Sequence, residues 1–342
     1  MLPMGSYRPR SVFVLLVVLS AAAAMLGADA SQGGQRPGDA GGRALYPVTV
    51  NGKCGFIDRA GAVVIKPFLD ESPGFSEGLA PARLGERWGF IDATGRWTIT
   101  PRFQFAGSFS EGLAIAQQDE KLGFVDRGGQ WVVPPKYDEA GGFQGGRARV
   151  RTRDLWGFID PAGRVAIPIR YEEAYDFAEG LAAAKGDGRW GYLDTKGTWV
   201  IPATFQDTYR FSEGLAWVAK DPGNAYVDTR GKVVIDRPEF FDAKIFSEGL
   251  AGVLVGRKYG FINTRGALVI PPRFDIVFIF REGLAPVSID GTWGYVAKDG
   301  KLVIPLRFDL AQPFSGGLAE VNVGGRVGYI DTKGGFVWPP SR

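Results

Sequence analysis

The chain contains no histidine. That excludes Ser-His-Asp and Cys-His nucleophilic machinery, His-ligated zinc and haem held by a His. It contains one cysteine, Cys54, which excludes an intramolecular disulfide. Neither sign of charge dominates, since 40 Lys and Arg against 37 Asp and Glu leave a net +3. That is too little to call for nucleic acid. A Gly-rich phosphate loop is missing as well, because the 50 glycines fall at turn positions. No cofactor and no metal are expected. Beyond the N-terminal segment, no stretch is apolar for the roughly 20 residues a membrane-spanning helix needs.

That N-terminal segment reads as an export signal. Arg8 and Arg10 precede an apolar run from Val12 to Leu19, which Ala21 to Leu26 extends. Ala28-Asp29-Ala30 then offers a small-x-small cleavage site. Residues 1–30 are expected to be a Sec-type signal peptide cleaved near Ala30, and 31–43 a flexible linker. Residues 44–342 are expected to be one repeat array. The mature protein is expected outside the cytoplasm, periplasmic or secreted, without a membrane span.

What the chain does have is repetition. Trp88-Gly89-Phe90-Ile91-Asp92 returns as Trp156-Gly157-Phe158-Ile159-Asp160 and as Trp190-Gly191-Tyr192-Leu193-Asp194. Weaker copies begin at Cys54, Leu122, Asn224, Tyr259, Trp293 and Val327. The step is 34 residues, with one of 35 between Asn224 and Tyr259. A second phrase, Phe75-Ser76-Glu77-Gly78-Leu79-Ala80, keeps the same step. Two phrases on one period mark a tandem array. These residues resemble the WG-repeat family, named for the Trp-Gly pair. The resemblance covers roughly Leu45 to Pro340 and implies a β-rich repeat structure and an interaction role. It brings no catalytic residues. Cys54, Leu122, Asn224, Tyr259 and Val327 depart from the Trp, and Ala225 from the Gly.

Each position of the repeat has a local reason. An aromatic always follows the Gly, and a β-branched residue or Leu follows it, so this strand is apolar on both faces and is expected between layers. Asp58 with Gly61, and Asp194 with Gly197, open and end a short turn. The column of seven such Asp is therefore read as turn residues rather than as a metal or acid array. A Pro is expected to close the following strand. Asn51-Gly52 is a two-residue hairpin signal. Cys54, at the Trp position, is read as buried filler. Together these give an all-β chain of about nine three-stranded repeats. An open, twisted, solenoid-like array is the first expectation, and a closed ring or propeller the alternative.

The third strand offers a binding face. Its small positions, such as Ala80 and Ala82, pack, while Pro81/Arg83, Ile115/Gln117 and Arg149/Arg151 vary. Arg147, Arg149, Arg151 and Arg153 alternate about 7 Å apart along one strand. Planar guanidinium forks suit carboxylate, sulfate or phosphate. They mark a candidate anion or partner site for a protein or an acidic glycan, against a solvated face neutralised by Asp119, Glu120 and Asp154. Trp217, on the variable face, is the candidate for stacking on a sugar. The leading function is a non-catalytic interaction or scaffold module, the second a carbohydrate-binding protein. The third is a glycoside hydrolase using paired carboxylates such as those of the Glu77, Glu111, Glu179 column. That column keeps the period, whereas a single active site breaks it.

Overall fold

The computed structural model describes residues 44–340, so the expected signal peptide (1–30) and linker (31–43) lie outside the described residues. The regular elements among the described residues are all strands. They form nine small antiparallel sheets in chain order, two of three strands and seven of four. In the first sheet β1 (Leu45–Val50) pairs with β2 (Lys53–Asp58), and β2 with β3 (Val63–Leu69). The hairpin between β1 and β2 turns on Asn51 (φ 51°) and Gly52 (φ 75°), the two left-handed residues its sequence calls for. In five of the seven larger sheets the fourth strand, such as Glu139–Ala140 or Glu173–Ala174, is two residues long and lies in the connection between repeats. Its shortness hides it from any pattern of alternation.

The strand expected to stop at a Pro runs through it instead. β3 continues to Leu69, and its register slips between Ile65, opposite Phe56, and Leu69, opposite Cys54. Pro67 sits in this bulge at the sheet edge, where its missing N–H costs no ladder bond. The bulge also explains the Gly of the Trp-Gly pair. A Cβ on Gly191 would lie 2.5 Å from Ile201 O and 2.7 Å from Ala203 N. Ala225 is tolerated because its partner strand, Val233–Asp236, places Asp236 directly opposite it.

Each sheet buries both faces against its neighbours. Phe90 and Ile91 point to opposite faces and are both fully buried, and the same holds for Phe158 and Ile159. Each of the nine core clusters draws on adjacent repeats, as where Phe124, Val133 and Tyr137 pack with Phe143, Ala148 and Val150. A repeat thus completes its core only against the next, the defining energetics of a stacked array.

The array closes, so of the two expected arrangements it is the ring and not the open solenoid. Tyr46 of the first sheet packs on Tyr329 of the ninth, with ring centroids 5.6 Å apart. The Tyr46 hydroxyl donates to Gly316 O at 2.7 Å, and the Tyr329 hydroxyl to Pro47 O at 2.8 Å. Tyr46, Val48, Ile57, Leu318 and Tyr329 form a cluster like those between neighbours elsewhere. The Tyr329 bond continues a series in which Tyr192 donates to Tyr209 O and Tyr226 to Lys244 O, each in the following repeat. The molecule is a nine-bladed β-propeller. Its end blades are each built from their own strands and meet by side-chain packing. The phrases that specify a blade are the same in open and closed arrays, which is why the sequence pattern left closure open.

Candidate functional site

The periodic carboxylates are structural. In every one of the seven Asp turns Oδ1 accepts the N–H groups two and four residues on, as Asp58 does from Ala60 and Ala62, both at 2.9 Å. The Thr198 N–H holds the Asp194 carboxyl below the usual range. Gly197 at the turn's end has φ 83°, and a Cβ there would come 3.1 Å from Ile167 Cγ2 of the preceding blade.

The glutamates have a role that the repeat pattern concealed. Ser76 and Leu79 exchange both backbone hydrogen bonds across Glu77 and Gly78, a two-residue turn with φ of 52° and 81°. Glu is a poor residue for a left-handed conformation. Its carboxylate offsets that strain by reaching the same turn of the next blade. Glu77 accepts from Gly112 N at 3.0 Å, Glu179 from Gly214 N at 2.9 Å, Glu213 from Gly249 N at 2.9 Å and Glu248 from Gly283 N at 3.0 Å. Glu111 accepts from Gly145 and Gly146, and Glu282 from Gly317. Two of these carboxylates also face a cation from the next blade: Lys298 Nζ lies 3.1 Å from Glu248, and Arg127 Nη1 3.9 Å from Glu77. The only forewarning was Glu standing where a hairpin of this kind takes Asn or Gly.

The arginines do not form one continuous face. The strand is Ala148–Thr152, so Arg147 precedes it and Arg153 (φ 57°) lies in the turn after it. Arg149 Nη1 donates to Ala174 O at 2.8 Å. Its Nε lies 2.9 Å from Asp176 Oδ1, close as an ion pair but not aligned as a hydrogen bond. Burial pushes the Asp176 carboxyl above the usual range, while Arg149 and Arg210 pull the other way. Arg151 pairs with Glu139 across the sheet. Both guanidinium groups lie over the Trp156 ring, at 4.9 and 5.9 Å. The charge expected to need an outside anion is therefore met at Arg149 and Arg151 by Asp176 and Glu139, rather than by the carboxylates first considered. Arg147 differs: its partners are carbonyl oxygens, Thr195 O at 3.1 Å and Gly146 O at 2.8 Å.

Trp217 is not a surface platform. It is 7% exposed and packs on Tyr209 at 5.1 Å. On the variable face of the third strand Pro81 and Ala183 are buried, and Arg83, Gln117 and Lys185 are half-buried. Trp88, Trp190 and Trp293 are buried as expected, while Trp97, Trp131 and Trp199 are half-buried, each edge-on to a ring of the preceding blade. Cys54 is buried, and burial pushes its thiol up to about 11.

These blades define a propeller built from one repeated unit, and comparison identifies the unit. The family model described as "WG containing repeat" matches residues 55–88, 88–121, 123–156, 156–190, 190–221, 225–259, 259–293 and 293–326. The chain belongs to the WG-repeat family. Among solved structures it is similar to a eukaryotic initiation factor at TM-score 0.62 and 12% identity, over 88% of this chain and 95% of that one. It is also similar to the dihydro-heme d1 dehydrogenase NirN (TM-score 0.46, 12% identity, 85% and 72% covered) and to Hsv2p of Kluyveromyces lactis (0.43, 9%, 65% and 90%). At such identities the first likeness shows the fold alone, and the other two are too weak to speak for a shared fold. None of the curated proteins matches the chain. Among the described residues no helix is long and apolar enough to cross a membrane, and no group of His, Cys, Asp or Glu is placed to hold a metal ion.

Proposed function

We propose that this propeller is a non-catalytic interaction module that acts outside the cytoplasm and holds a protein ligand where its periodicity breaks. The observation that carries this reading is how the polar side chains are used. The repeating Asp and Glu carboxylates accept backbone N–H groups at fixed positions. None of those is left over as the pair of carboxylates, about 5 to 10 Å apart in one cleft, that glycoside hydrolysis requires. Three departures from the repeat gather at the entry to the fourth blade. There Gly145 replaces Glu, Arg147 replaces Leu, and Gly141 makes room for Arg149. A rigid scaffold with one altered sector is how repeat proteins present a specific surface. The signal peptide read in residues 1–30 supports export. Affinity capture with residues 31–342 as bait tests the reading, with extracytoplasmic proteins and acidic polysaccharides as separate prey. A Gly145→Glu/Arg147→Leu double variant, which restores the repeat residues, runs beside it. The reading expects protein retained by the wild type and lost by the double variant. Retention of polysaccharide alone, or its hydrolysis, would overturn it.

A further inference from the structure

The turn at Gly145 differs from its counterparts in a way that its packing does not explain. In the other turns of the series a Glu carboxylate bridges to the Gly N–H of the next turn, at 2.7–3.0 Å for the shorter oxygen. Gly145 supplies no carboxylate, so the Gly180 N–H, the next donor in the series, receives none. Glu is missing at one other described turn, Gly316, for a visible reason: a Cβ there would lie 2.6 Å from Tyr46 Oη at the ring closure. At Gly145 there is room. A Cβ would meet only Phe177 Cβ, at 3.9 Å, and φ is 61°, close to the 52–55° of the glutamates. Gly145, Glu179 and Gly180 are exposed, and Gly146 and Arg147 are half-buried.

The cationic half of the arrangement is kept. Glu77 and Glu248 face Arg127 and Lys298, which follow the turn Asp or its equivalent in the next blade. The matching residue for the Gly145 turn is Thr195, which carries no charge. Arg147 reaches that same place from another column and donates to Thr195 O at 3.1 Å. Its counterparts Leu113 and Leu181 are buried apolar residues. The chain has therefore removed an acid at this turn, left its N–H donor open and brought in a guanidinium. Neither carbonyl partner of Arg147 neutralises its charge.

We propose that the Gly145–Gly146 turn, the Gly180 N–H and Arg147 form a receptor for one carboxylate supplied from outside the chain, an acidic side chain of a bound polypeptide. The ligand carboxylate takes the place that the protein's own Glu takes in six other turns, accepting from Gly180 N and pairing with the Arg147 guanidinium. This deepens the proposal of a binding module and rests on it.

The test follows the backbone amide of Gly180 by NMR in the mature chain. Three probes are titrated: acetate, a hexaglutamate peptide, and the matching hexaglutamine peptide. The proposal expects a saturable shift of the Gly180 amide with acetate and with hexaglutamate, and none with hexaglutamine. Tighter binding of hexaglutamate than of acetate marks a peptide as the source, whereas equal affinities would overturn that part. Arg147→Leu should weaken binding about tenfold, the effect of one lost charge-assisted contact. Gly145→Glu should abolish the response, with the Gly180 amide already resonating like that of Gly214. Both variants carry residues found in the other blades, so a folding defect is not the expected outcome. A Gly180 amide unmoved by acetate and hexaglutamate, or an equal response in Gly145→Glu, overturns the site. Capture of an extracytoplasmic protein that persists in both variants would leave the binding-module reading standing while still overturning this receptor.

Discussion

Glycine does two separable things in this propeller, and one pair of substitutions weighs them. Gly191 follows the Trp in the fifth blade, beneath the bulge of its partner strand. Its φ is not positive, so Ala meets no conformational objection there, only atoms. The new Cβ would sit 2.5 Å from Ile201 O and 2.7 Å from Ala203 N, both backbone, with no flexible side chain to swing aside. Overpacking against backbone costs about 3 kcal/mol, the upper end of the usual range. Gly214 is the converse, with φ 77° and nothing within 4 Å of its Cβ. Ala at that position costs about 1 kcal/mol, for the left-handed conformation alone. With a urea slope of about 3 kcal/mol/M, the expected midpoint shifts are about 1 M for Gly191→Ala and about 0.3 M for Gly214→Ala. Tryptophan fluorescence through a urea titration reads both. Equal losses in the two variants would refute the claim that the bulge, and not the turn, makes the Gly of the Trp-Gly pair necessary.

Three further outcomes are expected. Arg149→Ala leaves the largely buried Asp176 carboxylate with Arg210 as its remaining cation and should destabilise by about 3 kcal/mol, with much of that recovered in the double variant Arg149→Met/Asp176→Leu, again by urea titration. Lys121 and the Arg153 N–H hold the Asp138 carboxyl below the usual range. Its folded pKa lies under the unfolded value of about 3.9, so its contribution is present above that pH and is lost as pH falls through the folded pKa. Asp138→Asn should flatten the acid limb of thermal stability against pH. The Cys54 thiol, buried and pushed up to about 11, should react with an aromatic disulfide reagent at pH 8 only when denaturant unfolds the chain.

Much of the blade was legible because it is local. The Asn51-Gly52 hairpin, the Asp-x-x-Gly turn, the two-faced apolar strand and the buried Cys54 each follow from a few neighbouring residues and their backbone preferences. What stayed hidden depends on contacts between blades. Glu77 looks like a solvated acid until Gly112, 35 residues on, is seen to donate to it. Trp217 looks exposed by alternation until Tyr209 covers it. Arg151 reaches Glu139 on a strand of two residues that carries no periodic signal, and Arg149 reaches Asp176 in the connection of the next blade. The strand that runs on through Pro67 is likewise set by a bulge over Gly55, a pairing detail and not a propensity. Closure sits furthest from the sequence, since it rests on Tyr46 meeting Tyr329 across 283 positions of chain.

Closure is also the claim on which the rest depends, because a ring fixes which blade faces which. Spin labels at Thr49 in the first blade and Arg326 in the ninth, both exposed, in a Cys54→Ala background, test it by pulsed dipolar spectroscopy. Adjacent sheets pack about 10 Å apart, so the ring predicts a label distance below about 30 Å. Nine blades stacked in an open line would separate the labels by about 80 Å, and a distance near that value would contradict the account.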